Sequence, residues 1–269
     1  YYFKVPSLRN IELTRPYFQT SRGVDNLNTY RKLKPNSFVI YPYKNENGNI
    51  NFVDIQALQR DYPETFSFLD TYKSRLEGRD IKPEPETENE WYRFGRHQSL
   101  DKCDVPAKIV VGVLSQGDKY AIDTNHTFIS SGGTAGYCMI TMPERTPYSI
   151  YYIQALLNSK YSEWFASLYG EVFRGGFIAR GTKVLKKLPI RKIDFENIDE
   201  KTLHDDIALL QQELIQLQES IDNTQNNNRR LFPLQRQFSM KKREMDLLLK
   251  RLYNLGEEDS LSPKINESY

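Results

Sequence analysis

The feature that most restricts the fold lies in the last third of the chain. In KTLHDDIALLQQELIQLQESI, apolar residues fall at Leu203, Ile207, Leu210, Leu214, Leu217 and Ile221. The steps alternate between four and three residues, which lines them up as one stripe of an α-helix that needs a second element to cover it. QNNNRR interrupts the pattern, and a second stripe runs through Leu231, Leu234, Phe238, Met245, Leu248, Leu252 and Leu255. Lys241 is a polar intrusion in that stripe, and Pro233 is expected in a first helical turn, where its missing N–H costs little. Two such helices joined by a short polar link make an antiparallel hairpin, about 30 Å long at ~1.5 Å rise per residue. Spacing alone leaves two coverings open, one within the chain and one by a partner helix through residues 201–255.

Upstream the period changes. Ser37-Phe38-Val39-Ile40-Tyr41 and Lys108-Ile109-Val110-Val111-Gly112-Val113-Leu114 are short β-rich runs bounded by turn residues, and Asn45–Asn49 (NENGN) has the composition of a hairpin tip. Ile55, Leu58, Phe66, Leu69, Tyr72 and Leu76 recur at helical spacing, interrupted near Pro63. KPEPETENE reads as a solvated acidic loop, and SSGGTAGY as a flexible turn between strands. Thr146 as N-cap and Pro147 at the first position predict a helix through Ile150, Ile153, Leu157, Trp164 and Leu168, its aromatics mostly core. The expected fold is α/β (α+β): a mixed-sheet domain over residues 1–195, a long antiparallel helical hairpin over 196–256 and a polar tail over 257–269.

Charge narrows the function. The net +2 conceals a gradient: 18 basic and 17 acidic side chains in residues 1–125, 9 and 4 in 126–195, 10 and 14 in 196–269. Between Val172 and Lys192 there are seven cations and no carboxylate. A local cationic excess of this kind fits a polyanion partner. Two cysteines do not make a disulfide framework, and no apolar run reaches the ~18 residues of a membrane span, so the expected setting is the cytoplasm, without a membrane partner. YYFKVPSLRN has neither an initiator Met nor a signal pattern, which leads us to expect a fragment of a longer protein.

Several chemistries are disfavoured by residue order. Gly176-Phe-Ile-Ala-Arg-Gly181-Thr182-Lys183 has the spacing of a phosphate loop, but Thr and Lys are reversed and a helix, not a strand, precedes it. Asp70, Asp80 and Lys82 resemble a metal-dependent nuclease set, although about two or three (D/E)-x-K triplets arise by chance in this composition. His97, His126 and His204 lie far apart in sequence, neither cysteine has a CxxC neighbour, and no G-x-S-x-G elbow is present. No two prolines are adjacent, so the (D/N/S)-P-P-(Y/F/W) loop of amino-methyltransferases is missing, and SSGGTAGY lacks the F-x-G-x-G pattern of an S-adenosylmethionine site. What remains is binding. Arg174, Arg180 and Lys183 combine cations with glycines that allow close backbone approach, and Trp91-Tyr92-Arg93-Phe94-Gly95-Arg96-His97 interleaves aromatic and basic groups, a combination that favours nucleic acid.

The order of the motifs SFVIYPY, FSFLDTYKSRLEGRD, WYRFGR, AKIVVG, IYYIQALLNSKYSEW and FRGGFIARGTKVLKKLPI, closed by EMDLLLKRLYNLGEED, resembles the TaqI-like C-terminal specificity domain over residues 37–258. That domain is the target-recognition part of adenine-specific DNA methyltransferases and fused restriction–modification enzymes. The resemblance implies duplex DNA as partner, a catalytic methyltransferase domain upstream that binds S-adenosylmethionine, and no cofactor or catalysis in this part. It extends to the specificity subunits of type I restriction systems, where helices serve as spacer and docking surface. Motif neighbourhood and charge select Arg93, Arg96, His97, Lys108, Arg174, Arg180 and Lys183 as DNA-contacting candidates. The rival functions are a protein-interaction scaffold acting through the helical hairpin and a nuclease built on Asp70, Asp80 and Lys82.

Overall fold

The structure is a computed structural model and describes residues 13–17, 27, 29–35, 37–46, 49–96, 100, 105–117, 120–129, 136–224 and 228–256. The SSGGTAGY turn up to residue 135, His97 and the tail from residue 257 lie outside the described residues. The chain divides into two compact units, one of Tyr1–Ser21, Lys34–Pro106 and Thr124–Ser131, the other of Arg22–Leu33, Ala107–Asp123 and Gly132–Tyr269.

In the first unit β1 (Thr14–Tyr17) pairs antiparallel with β2 (Ser37–Ile40), and β3 (Tyr43–Glu46) with β4 (Asn49–Phe52). Glu46 faces Asn49 across the second pair, as the NENGN composition predicts. Three short helices follow: α1 (Ile55–Asp61), α2 (Pro63–Asp70) and α3 (Lys73–Glu77). The Asp54 carboxylate starts α1 by accepting from the N–H groups of Gln56 and Ala57, both at 2.9 Å, and Pro63 opens α2 at a position whose N–H needs no helical partner. Leu58, Leu69 and Leu76 bury their side chains with Trp91 and Tyr92. Beside them Tyr41, Tyr43, Phe52, Tyr92, Phe94 and Phe128 pack ring on ring, with centroids 4.7–5.9 Å apart. The Tyr92 hydroxyl donates to the Val53 carbonyl at 2.6 Å, and the Tyr43 hydroxyl accepts from the Phe94 N–H at 2.9 Å. The aromatics of WYRFGR are therefore core.

In the second unit β5 (Lys108–Gly112) is the middle strand of an antiparallel sheet, between β7 (Tyr120–Asp123) and β8 (Tyr137–Thr141), and each of its residues is buried. A second small sheet has the order β6 (Leu114–Ser115), β10 (Phe177–Ala179), β9 (Val172–Phe173). The helix expected from Thr146 begins at Ile150 instead, because Ser149 is the residue whose hydroxyl caps it. It also ends early: α4 (Ile150–Leu157) stops at Asn158, and Ser159 caps a new helix, α5 (Lys160–Tyr169). A single turn, α6 (Thr182–Leu185), precedes the C-terminal pair, α7 (Ile198–Asn223) and α8 (Asn228–Leu252). The 26 residues of α7 span about 39 Å, longer than the heptads alone imply.

The open question about the seam is answered within the chain. Leu203, Leu210 and Leu214 of α7 share a core with Met245, Leu249 and Leu252 of α8, and Tyr152, Ala155 and Leu156 of α4 join the same core. Lys241 reaches Glu213 at 2.6 Å, so the polar intrusion becomes a cross-helix ion pair. Pro233 is not in the first turn: α8 begins at Asn228, five residues earlier, and the proline forgoes one interior hydrogen bond. Buried amides tie α7 and α4 to the sheet. Gln211 donates to the Gln154 side-chain oxygen at 3.1 Å, and the Gln154 amide donates to the carbonyls of Tyr120 and Thr29 at 3.0 and 3.1 Å.

Candidate nucleic-acid interface

The cationic segment 172–192 is built as a rigid hairpin followed by one helical turn. β9 and β10 pair antiparallel with Phe173 opposite Phe177, leaving Arg174, Gly175 and Gly176 as the turn. Both glycines have positive φ, 84° and 76°, a conformation that a residue with a Cβ adopts only with strain. The Gln116 side chain donates to the Gly175 carbonyl, and Arg174 is exposed at the tip. At the other end Gly170 lets α5 touch β10. An added Cβ there would lie 2.4 Å from Ile178 Cγ2 and 2.6 Å from the Ala166 carbonyl oxygen.

Arg180 anchors this hairpin. Its guanidinium has no exposed surface, and two of its nitrogens lie 2.7 Å from the two Glu163 carboxylate oxygens of α5. Its Nε donates to Ser115 Oγ of β6 at 3.0 Å, and its backbone N–H donates to the Val113 carbonyl at 2.6 Å. In α6 Val184 is buried and Leu185 packs against the sheet core, while Lys183 and, at the C-cap, Lys186 are exposed. The Lys187 ammonium sits 5.7 Å from the Tyr169 ring centre, and Arg191 pairs with Glu200 at 3.1 Å. Arg174, Lys183, Lys186 and Lys192 are exposed and pair with no carboxylate among the described residues. Their charge is available to an outside anion.

The seven candidates thus separate. Arg174 and Lys183 stand on this surface. Arg180 and Lys108 are corrected to internal roles. Lys108 lies on the central strand and pairs with Asp123, its cross-strand neighbour, at 2.9 Å, with both side chains wholly buried. A buried ion with a buried partner loses more by leaving than a phosphate returns. In the first unit Arg93 is largely covered, paired with Glu90 and lying over the Phe52 ring at 5.6 Å. Arg96 is half exposed and holds Asp80 at 2.7 Å, also donating to the carbonyls of Gly95 and Asp80. His97 lies outside the described residues.

The same pair bears on the nuclease alternative. The Asp80 carboxyl is pulled below its usual range, first by the hydrogen bond from Arg96, and Lys82 stands 3.8 Å away. Asp80 is therefore already neutralised by cations. Among the described residues, no group of three His, Cys, Asp or Glu is placed to hold a metal. No helix of the described residues is long and apolar enough to cross a membrane.

Leu168 and Tyr169 at the end of α5, and Val172 and Phe173 on β9, are exposed apolar side chains that periodicity missed. Leu168 shares a helical stripe with Trp164, which reads as core, yet α5 ends one residue later and leaves it uncovered.

The chain belongs to the TaqI-like C-terminal specificity domain family, which matches it over residues 25–190. It is 50% identical over 261 residues, 96% of its length, to the Type II restriction enzyme and methyltransferase RM.Eco57I of Escherichia coli. The chain spans 26% of that relative's length.

Proposed function

We propose that this chain is the DNA-reading part of a longer restriction–modification enzyme. Residues 1–195 read duplex DNA, and a methyltransferase domain upstream, carrying S-adenosylmethionine, modifies adenine in the sequence so chosen. The observation that carries this is the exposed set Arg174, Lys183, Lys186 and Lys192, free of carboxylate partners among the described residues, the first on a hairpin locked by Arg180 and the others on the segment that follows it. Cations placed this way neutralise phosphates and release condensed counterions, which gives affinity and steep salt dependence. Family membership and the restriction-and-methyltransferase relative support the same reading. Arg96, exposed and able to exchange Asp80 for a phosphate, is a second contact in the first unit.

The hairpin of residues 196–256 braces the second unit and also offers a docking face. Phe232, Met240 and Leu247 lie exposed on the outside of α8, among Arg229, Arg236 and Arg243. That face suits a helix of the methyltransferase domain, as partner through residues 201–255.

Retention of labelled duplex DNA on filters, at low and moderate salt, tests the proposal. Binding that weakens steeply with salt is expected. Absence of retention at low salt would overturn DNA reading and leave the scaffold role of the helical hairpin.

A further inference from the structure

The hairpin carries more than charge. β9 is the edge strand of its sheet, and its two residues point to opposite sides, as strand neighbours do. Both are nevertheless open, Val172 at 63% and Phe173 at 40% of their surface. A two-residue apolar edge partly open on both faces is a thin blade, the kind of edge that proteins usually blunt with charge or cover. Here the charge is at its tip, on Arg174. At its root the Tyr169 ring stacks on Phe165 with centroids 4.4 Å apart, carries Lys187 over its face, and is itself exposed. The blade is also held stiffly, by the Arg180–Glu163 pair, by the close approach at Gly170 and by Gln116 on the turn.

We propose that the β9–β10 hairpin is a wedge: Phe173 and Val172 enter a base step of duplex DNA and unstack it, while Arg174, Lys183 and Lys186 hold the phosphates beside the opening. The proposal rests on the DNA-reading function above. An apolar side chain between base steps replaces the lost stacking, and flanking cations hold the distorted backbone; neither alone distinguishes a wedge from a phosphate clamp. Glu171, exposed at the hairpin root, repels phosphate and leaves the tip and the α6 side as the surfaces that approach DNA. Arg174 follows Phe173 directly and Lys187 lies over the Tyr169 ring, surroundings that favour a polyanion over an apolar protein partner.

The test uses the 269-residue chain and a pool of random-sequence duplexes enriched for retention on it. Complexes at saturating protein are treated with permanganate, which oxidises thymines only where they are unstacked, and reactive positions are read by sequencing. Wild type is expected to raise reactivity at one step of the retained duplexes. Phe173→Ala is expected to lose that reactivity and about tenfold in affinity. Phe173→Trp should keep the reactivity, and Arg174→Ala should lower affinity while keeping it at saturation. Both Phe173 variants should keep the wild-type circular dichroism, and duplex binding is compared below the melting temperature of each, because Phe173 is partly covered beside Phe177. Retained duplexes without a reactive thymine, or Phe173→Ala complexes as reactive as wild type, would sink the wedge alone. No retained duplex at all sinks the wedge together with DNA reading.

Discussion

The Arg180 guanidinium and the Glu163 carboxylate face each other at 2.7 Å, the arginine entirely buried and the glutamate partly so. Six residues earlier, at the hairpin turn, Arg174 is exposed and pairs with no carboxylate among the described residues. The first is held inside the fold and positions the hairpin; the second is open to solvent, and we propose that it meets DNA.

Arg180→Met removes the charge and leaves Glu163 facing an apolar side chain. A cost of about 3 kcal/mol is expected, since a severed buried pair strands its partner. Replacing both, Arg180→Met with Glu163→Met, should recover most of that cost. Urea unfolding of the single and double variants decides it, and equal stabilities would show that the pair is not structural.

Arg174→Ala combined with Lys183→Ala should leave the unfolding midpoint unchanged and weaken duplex binding. With two phosphates fewer neutralised, the slope of log affinity against log salt should fall by roughly 1.8. Binding isotherms at several salt concentrations measure this; an unaltered slope would remove both residues from the interface.

Gly170→Ala should destabilise the second unit by about 2 kcal/mol, because the new Cβ overpacks against Ile178 and the Ala166 carbonyl. The hairpin must shift away from α5 to make room. Amide exchange over residues 172–179 should therefore accelerate more than over α7, and uniform exchange would contradict the tight contact.

Lys108→Ala strands the buried Asp123 carboxylate and should cost about 4 kcal/mol. Lys108→Met with Asp123→Leu fills the same space without ions and should return near wild-type stability in thermal unfolding. Loss of duplex affinity in that double variant, with stability intact, would reinstate Lys108 as a DNA contact.

Burial holds the Tyr43 and Tyr120 phenols up at about 12, against an ordinary value near 10. Because the folded value is the raised one, the stability they contribute is complete below pH ~10 and is lost as pH rises towards 12. Absorbance of the ionised phenols should rise in two phases, the exposed tyrosines first and the buried ones together with unfolding. A single phase near pH ~10 with circular dichroism unchanged would contradict this.

Much of the architecture was legible because it depends on periodic burial. The alternating steps from Leu203 to Ile221 predict a helix and its partner, and α7 and α8 meet along that seam. NENGN predicts the β3–β4 pair, and the run from Lys108 predicts a strand. Helix starts were less legible. Thr146-Pro147 and Ser149 are both acceptable caps locally, and the choice falls to Ser149, whose own N–H is met by His204 Nε2 at 3.1 Å from α7.

The candidate site shows the same division more sharply. Linear sequence reveals that residues 172–192 hold seven cations and no acid, because charge is counted along the chain. Which of those cations are left without an internal partner depends on carboxylates brought in from elsewhere: Glu163 for Arg180, Glu200 for Arg191 and, outside the segment, Asp123 for Lys108. A helical stripe likewise marks Leu168 as apolar, but only the end of α5 leaves it, with Val172 and Phe173, uncovered. Local order and composition are enough to read the family, most of the elements and the cationic segment. Which charges are satisfied internally and which remain open to an outside partner is a property of the folded chain, because an ion's cost of burial and its partner are set by groups distant in sequence.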